Sequence, residues 1–473
     1  MYESLLLTDF YELTMAQGFY LGQKNPQVVF DMFFRRSPFG SGYAVFAGLE
    51  DLLARLGTLR FNPEDLAYLD SRGIFQREFL DYLSTYHFSG DLYSFDEGSL
   101  VFPGEPLIRV HSSLIEAQIL ESLLLNIINF QTLIATKAAR LYTVCNGGRI
   151  MEFGLRRAQG IDGALSASRA AYIGGCVSTS NSLAGKNYGI PLSGTMAHSW
   201  IMAFDSELEA FRAFAAAYPD NAILLIDTYD TLGSGIQNAI TVGLEQRAAG
   251  KKIGVRLDSG DLQYLSARVR EKLDRAGLSD AVICVSNDLN EEIVQQLVLS
   301  RSPIDFWGIG TQLVTGGSDS SLAGVYKLAA RQTDQGMQPT IKVSNNPEKI
   351  TNPGIKQVYR FYDENRSPQA DLICLAGEEV LPGRSYRFNH PMFRFKHFIL
   401  EGCAALPQLK LRVKRGERIQ EPEALPEIRG RALEQLAALD GSHKRLLNPH
   451  TYKISLSDTL RDLKNDLLDR QPG

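Results

Sequence analysis

Four short apolar runs, each ending in polar or glycine-rich residues, decide how this chain folds: 222-AILLIDTY-229, 251-KKIGVRLD-258, 281-AVICVSND-288 and 304-IDFWGIGT-311. Amphipathic stretches lie between them, such as the one that follows Asp261 and ends at Gly277. Strands that alternate with helices pair in parallel through right-handed crossovers. The pattern therefore predicts an α/β fold.

Similar apolar runs extend the pattern in both directions, and they are 149-RIMEF-153, 170-AAYIGGCV-177, 190-IPLSGTM-196 and 323-AGVYKLAA-330. Eight units within about 180 residues fall short of the roughly 250 residues typical of a complete eight-stranded barrel. We therefore expect a compact or incomplete (β/α) barrel.

The two ends of the chain differ from this middle part. The runs 28-VVFDMFFRR-36 and 102-FPGEPLIRV-110 indicate a mixed sheet, and strand-like runs return in 357-QVYRFYD-363, 370-ADLICLA-376 and 407-PQLKLRV-413. The tail after these runs is helical in pattern. We expect residues 1–125 and 350–473 to form one discontinuous α/β sandwich domain, and residues 126–349 to form the barrel-like catalytic domain.

Composition excludes several classes of protein. The net charge of -5 gives no bulk argument for nucleic-acid binding, and the hydrophobic share of 44% is ordinary for a globular protein. The five cysteines are far apart without a CxxC pair, which disfavours a disulfide framework or zinc knuckle and favours a reducing, cytoplasmic setting. The N-terminus lacks the basic region of a signal peptide.

The most apolar stretch, residues 114–145, carries too many polar side chains for a membrane span of about 20 residues. We expect a long, largely buried helix there, and no membrane partner.

Chemistry in such barrels is found where the strands end. Polar clusters occupy these positions, namely residues 152–154, 179–181, 195–198, 227–230, 256–261, 286–288 and 308–311. If the fold is as predicted, the clusters converge on one mouth.

In the cluster 256-RLDSGD-261, Arg256 can pair with a diphosphate in a forked geometry, and Asp258 and Asp261 can hold Mg²⁺ or accept ribose hydroxyls. Ser259 and Gly260 expose amides that suit a phosphate. Alternatively, Asp261 is a plain helix N-cap, and Arg256 and Asp258 form an inward ion pair.

Other strand ends allow similar roles. Asp227 and Asp230 can bind a metal-diphosphate, or they serve turn and capping chemistry. Ser286, Thr311 and nearby glycines can cradle a phosphate monoester, although glycine-rich loops are common.

Phe153 stands close to Arg156 and Arg157, so an aromatic face and a guanidinium can hold a flat acidic ring. A core phenylalanine beside two surface arginines is the equally simple alternative.

His198 lies in 194-GTMAHSW-200, just beyond a strand and among hydroxyls. A lone histidine is more often a satisfied polar residue than a catalyst, but its placement at the predicted mouth favours a functional role.

Together the motifs resemble the nicotinate phosphoribosyltransferase family. They are 8-TDFYELTMAQ-17, 152-EFGLRRAQG-160, 178-STSNSLAG-185, 194-GTMAHSW-200, 227-DTYDTLGSG-235, 255-VRLDSGDL-262 and 448-NPHTYKISLS-457. They run in order through nearly the whole chain.

The resemblance implies an enzyme of NAD salvage that joins nicotinate to 5-phosphoribosyl-1-diphosphate, with ATP hydrolysis coupled through a phosphohistidine at His198. It implies Mg²⁺, with Asp227 and Asp258 as possible holders. It also implies a homodimer with shared active sites, since nicotinate would stack between Phe153 and Tyr11 of a neighbouring subunit.

The remaining implied residues fall into three groups. Arg156, Ser180 and Asn181 would lie near the pyridine ring or substrate. Arg256, Asp258, Asp227 and Asp230 would handle ribose, diphosphate and Mg²⁺. Ser286, Gly308 and Gly310 would hold the 5-phosphate.

Three alternatives remain at this level. A nicotinamide phosphoribosyltransferase would be expected to carry a carboxylate facing the amide, and residues 175–185 hold only Ser, Thr and Asn as polar candidates. A quinolinate enzyme is disfavoured by the chain length and by His198. A non-catalytic relative is disfavoured because His198, Asp258 and Arg256 are all present.

Overall fold

The computed structural model describes residues 4–393 and 395–470. It divides into two compact units: one comprises the residues up to Leu133 and from Ser321, and the other comprises Ile134–Ser320. Sequence analysis placed these boundaries at 125/126 and 349/350. Residues 321–349 group with the chain ends because the strand that begins at Gly324 pairs with the strand that begins at Gln27.

Up to residue 144 the helices are α1 (Phe10–Leu21), α2 (Leu49–Leu56), α3 (Pro63–Ser71), α4 (Arg77–Ser84), α5 (Leu114–Ile119) and α6 (Glu121–Val144). The strands are β1 (Gln27–Phe34), β2 (Ala44–Val45), β3 (Asp91–Ser94), β4 (Leu100–Val101) and β5 (Ile108–Ser113). Aromatic and β-branched residues in β1 favour an extended chain, and six of its eight residues are buried.

Between residues 149 and 320 the strands are β6 (Arg149–Glu152), β7 (Ser178–Thr179), β8 (Ala222–Leu225), β9 (Ile253–Leu257), β10 (Val282–Asn287) and β11 (Phe306–Ile309). The helices are α7 (Ile161–Ile173), α8 (Ser182–Tyr188), α9 (His198–Met202), α10 (Glu207–Ala217), α11 (Ile236–Ala248), α12 (Leu262–Arg275), α13 (Glu291–Leu299) and α14 (Thr311–Val314). Ser206 caps α10 by accepting from the backbone N–H of Glu209 at 3.2 Å.

From residue 321 onward the strands are β12 (Gly324–Thr333), β13 (Gly336–Pro339), β14 (Lys356–Tyr362), β15 (Pro368–Leu375), β16 (Tyr386–Asn389), β17 (His397–Leu400), β18 (Ala404–Pro407), β19 (Lys410–Lys414), β20 (Glu417–Arg418) and β21 (Ile454–Leu456). The helices are α15 (Leu425–Ala438) and α16 (Asp458–Asp469).

The unit built from the chain ends contains two large sheets. One has the order β13-β12-β1-β5-β3-β19-β20 and the other β17-β16-β21-β15-β14-β18. Their pairings are antiparallel except for β15 with β21, which is parallel. A core of buried apolar side chains, including Phe30, Phe34 and Phe79, holds the helices against these strands.

The unit of residues 134–320 contains one parallel sheet in the order β7-β6-β11-β10-β9-β8. The order follows the chain around a circle, because the last strand, β11, pairs with the first, β6. The circle stays open between β7 and β8, where an isolated bridge joins Thr179 to Leu192. The predicted α/β fold with an incomplete (β/α) barrel is confirmed.

The sheet has six strands rather than eight: five of the apolar runs form β6 and β8–β11, β7 follows the run 170–177, and three runs have other roles. Residues 170–173 end helix α7, and 190–196 contribute the isolated bridge at Leu192. Residues 324–330 belong to β12 in the other unit.

The apolar stretch 114–144 is helical, as expected from the sequence, with α5 and α6 following one another. Among the described residues it is the one helical segment long and apolar enough to cross a membrane, which by itself is weak evidence. Burial of 61% of its most apolar window within the protein is typical of a core helix.

Candidate active site

Three neighbouring strands of the incomplete barrel place polar residues level with one another. Arg256 lies two residues before Asp258, so the two side chains point to the same face of the sheet. Cys284 of β10 is opposite Arg256, which sets Ser286 level with Asp258, and Ser286 is opposite Gly308 of β11. The predicted convergence of strand ends is therefore present at this mouth.

The Arg256 guanidinium organises this layer through four acceptors. It donates to Asp258 Oδ1 at 2.7 Å, Ser286 Oγ at 2.7 Å, Thr195 Oγ1 at 2.8 Å and the Met196 carbonyl at 3.2 Å. Ser286 in turn donates to Asp258 Oδ1. The side chain of Arg256 is 14% exposed, so the inward ion pair foreseen from the sequence is real and partly shielded from water.

The carboxylate of Asp258 stays ionised at neutral pH. Burial opposes its ionisation, but the hydrogen bond from Ser286 and the charge of Arg256 outweigh burial and lower the pKa of Asp258. Since 32% of the side chain is exposed, its free oxygen can reach a ligand in the mouth.

His198 opens helix α9 and faces the same carboxylate. Its Nδ1 lies 3.0 Å from Thr228 Oγ1, and its Nε2 lies 3.8 Å from Asp258 Oδ2. The imidazole is 40% exposed, so it is not a satisfied polar residue of the core. One nitrogen is oriented by a hydroxyl, while the other faces a negative charge.

Asp227, just after β8, has one oxygen engaged and one oxygen buried without a partner. Oδ2 accepts from the Asp258 backbone N–H at 3.0 Å and from Ser259 Oγ at 2.6 Å. Oδ1 is buried and has no hydrogen-bond partner. Such an oxygen is suited to a cation or a ribose hydroxyl.

The carboxylates fit Mg²⁺ only as a partial ligand set. Among the described residues, no group of three or more His, Cys, Asp or Glu side chains is arranged to hold a metal ion. Mg²⁺ commonly takes one or two protein carboxylates and completes its shell with phosphate oxygens and water. Asp227 and Asp258 match that mode.

Phe153 lies beside this network at the end of β6. Its ring centroid is 5.9 Å from the Arg256 guanidinium carbon. A Cβ added at Gly308 would lie 2.7 Å from the Phe153 ring, so the glycine makes room for the phenyl group. Gly308 therefore makes room for the ring, and the phosphate-holding role that the resemblance implies for it stays a prediction.

Several candidate residues serve as helix caps. Asn181 is buried and its Oδ1 accepts from the Ala184 N–H at 3.2 Å. Asp230 accepts from Gly233 at 2.9 Å, and Asp261 accepts from Tyr264 at 3.0 Å. For Asp230 and Asp261 the capping alternative describes the observed contacts. Asn181, for which the sequence suggested only a place near the substrate, is a helix cap as well.

Other candidates lie at the rim or elsewhere. Arg156 is exposed on the 3-10 helix Leu155–Arg157, and Ser180 is half-buried, with its backbone N–H donating to the Glu152 carbonyl at 2.9 Å. Gly310 packs closely on the Phe153 carbonyl. Tyr11 is exposed on α1 in the other unit, and burial of its hydroxyl and a hydrogen bond with Glu12 raise the pKa of this phenol.

Two partners of the central residues were missed from the sequence. Thr195 holds Arg256, and Thr228 holds His198. Both threonines stand inside motifs that were quoted, within three residues of a candidate, which is the signal that could have identified them.

A separate open groove of about 700 Å³ lies between the starts of α12 and α13. It is lined by residues 260–263, 287–289, 292, 293, 296 and 297. His198, Asp258 and Phe153 do not line this groove, so it is distinct from the candidate active site.

Comparison with known proteins identifies the family of this chain. Family models for nicotinate phosphoribosyltransferase match the chain in three parts: the N-terminal domain at residues 6–129, the family itself at 149–358 and the C-terminal domain at 355–464. Together they cover nearly the whole sequence.

Relatives and a solved structure agree with these matches. Nicotinate phosphoribosyltransferase of Bacillus subtilis is 42% identical over 96% of this chain and 93% of the relative. The human enzyme of the same name is 34% identical over 98% of this chain and 96% of the relative. A crystal structure of human nicotinic acid phosphoribosyltransferase matches with a TM-score of 0.86 at 31% identity, covering 97% of this chain and 99% of that chain.

The resemblance drawn from the seven motifs is thus confirmed, and the chain belongs to the nicotinate phosphoribosyltransferase family.

Proposed function

We propose that this enzyme transfers the phosphoribosyl group of 5-phosphoribosyl-1-diphosphate to nicotinate, giving nicotinate mononucleotide and diphosphate in NAD biosynthesis. The observation that carries the proposal is the joint placement of His198, Asp258 and Arg256 in one hydrogen-bonded mouth beside Phe153. Family membership over nearly the full chain supports it.

The pyridine ring would lie on the open face of Phe153. The phenyl group packs against Gly308, with the Arg256 guanidinium carbon 5.9 Å from its centroid, and a flat ligand would stack on its remaining surface. Arg156, exposed three residues further along, would pair with the nicotinate carboxylate. Serine and threonine hydroxyls near Ser180, rather than a carboxylate, favour the acid over nicotinamide.

The sugar and the diphosphate would occupy the carboxylate side. Loss of diphosphate builds positive charge on C1 of ribose, so ionised Asp258 and Asp227 can stabilise that charge or hold ribose hydroxyls. Mg²⁺, when bound, would neutralise charge on the diphosphate. Arg256 would aid departure of the anion by exchanging one of its hydroxyl partners for a diphosphate oxygen.

ATP would act through His198. A ring nitrogen attacks the γ-phosphorus, the bond to the ADP oxygen breaks, and ADP leaves; hydrolysis of the phosphohistidine later returns the imidazole and phosphate. A phosphoryl group adds roughly two negative charges beside Asp258. Arg256 and Mg²⁺ would then be drawn into a new arrangement that binds the diphosphate substrate more tightly.

A shared site would require a homodimer. Tyr11 is exposed, and its neutral phenol ring suits stacking on a pyridine ring bound by a second copy. We place the enzyme in the cytoplasm, where nicotinate salvage substrates are soluble and thiols stay reduced.

The deciding experiment incubates the protein with nicotinate, phosphoribosyl diphosphate and Mg²⁺, with and without ATP, and measures mononucleotide. We expect ATP to stimulate the wild type, and His198→Ala to lose the stimulation while keeping slow transfer. The matched control is His87→Ala, which alters an exposed histidine of the other unit and should leave the stimulation intact.

Equal ATP stimulation of His198→Ala and wild type would contradict the proposed coupling. Faster turnover of nicotinamide than of nicotinate would contradict the proposed substrate.

A further inference from the structure

The turn that contains Phe153 is hydrogen-bonded to the carboxylate of Glu152, a residue to which no role has been assigned above. Glu152, the last residue of β6, is fully buried. Its Oε1 accepts from the backbone N–H of Gly154, and its Oε2 accepts from Ser168 Oγ at 2.8 Å and from Thr179 Oγ1 at 2.5 Å. Three donors from three elements thus meet on one side chain.

The same carboxylate joins the two turns nearest the pyridine site. On one side it accepts a hydrogen bond from the backbone N–H of Gly154, the residue after Phe153. On the other side the Thr179 hydroxyl accepts a hydrogen bond from the Asn181 N–H at 3.0 Å and donates one to Glu152. The Glu152 carbonyl also accepts from the Ser180 N–H at 2.9 Å.

All three of these hydrogen bonds are donated to Glu152, so both of its carboxylate oxygens have to be acceptors. Thr179 Oγ1 accepts from the Asn181 N–H and donates its own hydroxyl to Glu152 Oε2 at 2.5 Å; the other acceptor within its reach, Ser168 Oγ, is more distant at 3.4 Å. An amide at position 152 would satisfy Gly154 with its oxygen but would turn an N–H₂ group toward Thr179. Ser168 and Thr179 would then both lose Oε2 as an acceptor and would have to donate to more distant groups, the Ala164 carbonyl at 3.0 Å and Ser168 Oγ at 3.4 Å, which weakens a buried network.

We infer that Glu152 is a positioning residue for the pyridine ring of nicotinate, acting through Phe153 and the 179–181 turn. The inference rests on the proposed function, since it concerns how the same ring is held. Because Glu152 is completely buried, it touches neither substrate nor reacting atoms.

The test compares steady-state kinetics of wild type, Glu152→Gln, Phe153→Leu and the double variant. We expect Glu152→Gln to raise the KM for nicotinate roughly tenfold, with the KM for phosphoribosyl diphosphate changed less than about twofold. In the Phe153→Leu background, Glu152→Gln should change the nicotinate KM little, because residues that act as one unit are not additive.

The matched control is Glu207→Gln, a buried carboxylate of α10 whose Oε2 accepts from Asn238 at 2.9 Å. It should leave the nicotinate KM unchanged even if it lowers the melting temperature. Should Glu152→Gln fail to fold, Ser168→Ala removes one of the three donors from a helix position and should raise the nicotinate KM about threefold.

An unchanged nicotinate KM, an equal rise in both KM values, or additive effects with Phe153→Leu would overturn the inference. Absence of nicotinate turnover in the wild type would instead overturn the proposed function.

Discussion

Two arginine–aspartate pairs of this molecule have similar distances and opposite surroundings. In the unit of residues 134–320, Arg256 contacts Asp258 at 2.7 Å, with side chains 14% and 32% exposed. In the unit of the chain ends, Arg360 contacts Asp371 at 2.7 Å across β14 and β15, with side chains 2% and 0% exposed. The first pair has polar neighbours that can exchange partners.

The second pair is closed on all sides. The Arg360 guanidinium binds both oxygens of Asp371, and Tyr452 donates to the same carboxylate at 2.9 Å. The Phe102 ring centroid lies 5.2 Å from the guanidinium carbon. The comparison teaches that an ion pair is available for chemistry when part of it is exposed to solvent and faces a histidine, as Asp258 does, and not when it is fully enclosed.

Breaking the closed pair should give the largest effect. Arg360→Met leaves the buried carboxylate of Asp371 without its cation, and loss of one partner of a buried pair costs about 3–5 kcal/mol. Denaturant unfolding measures this loss. The exposed pair of Arg212 with Glu245 provides the control, since Arg212→Met should barely change the unfolding midpoint. Equal effects of the two variants would contradict the distinction.

Breaking the open pair should cost activity instead of stability. Asp258→Asn keeps the side-chain shape, and Arg256 retains Ser286, Thr195 and the Met196 carbonyl. We expect kcat to fall about 10²–10³-fold, because the proposed role of this charge is to stabilise the transition state, with little change in melting temperature. Asp261→Asn in the same loop should be mild, because asparagine caps a helix as well as aspartate does. Comparable losses of kcat would refute this assignment.

A smaller effect concerns pH and the closed pair. Burial and the negative charge of Asp371 raise the pKa of Glu105, whose Oε1 is buried without a hydrogen-bond partner. The folded state therefore holds a proton that the unfolded state releases above about pH 4.3, so folding stability falls as pH rises toward the raised pKa. Glu105→Gln removes this proton linkage.

Melting temperatures measured from pH 4.5 to 8 should show wild type losing about 2 °C relative to Glu105→Gln as pH rises. The open pair behaves oppositely: the lowered pKa of Asp258 keeps it charged across this range, and its contribution is lost only on acidification. Parallel melting curves for wild type and Glu105→Gln would count against a protonated Glu105.

The alternation of runs predicted the class of fold well, because four strongly apolar runs followed by amphipathic stretches leave few other arrangements. It overcounted strands, since a short apolar run has the same composition in a helix end as in a strand. Residues 170–173 are such a case, and they end α7. The chain position of β12 could not reveal its antiparallel partner β1, almost 300 residues away.

The site shows the same division. Motifs at strand ends identified His198, Arg256 and Asp258 as neighbours, because carboxyl ends of parallel strands meet. Which aspartates bind ligands and which cap helices depends on where each side chain points, and Asp230 and Asp261 turn back onto their own helices. The contact of Thr195 with Arg256 depends on the path of the 190–197 segment, which no local periodicity encodes.

The barrel is open between β7 and β8, and this opening affects how His198 is held. The segment 190–197 meets the sheet through an isolated bridge at Leu192 and then delivers His198 to the mouth. The proposed phosphorylation of His198 would change the local charge by roughly two units and would require the segment that holds this residue to rearrange. In a closed barrel such a rearrangement would disrupt ladder hydrogen bonds to two neighbouring strands; here the segment meets the sheet at one bridge, and its other contacts include those of Arg256 with Thr195 and the Met196 carbonyl.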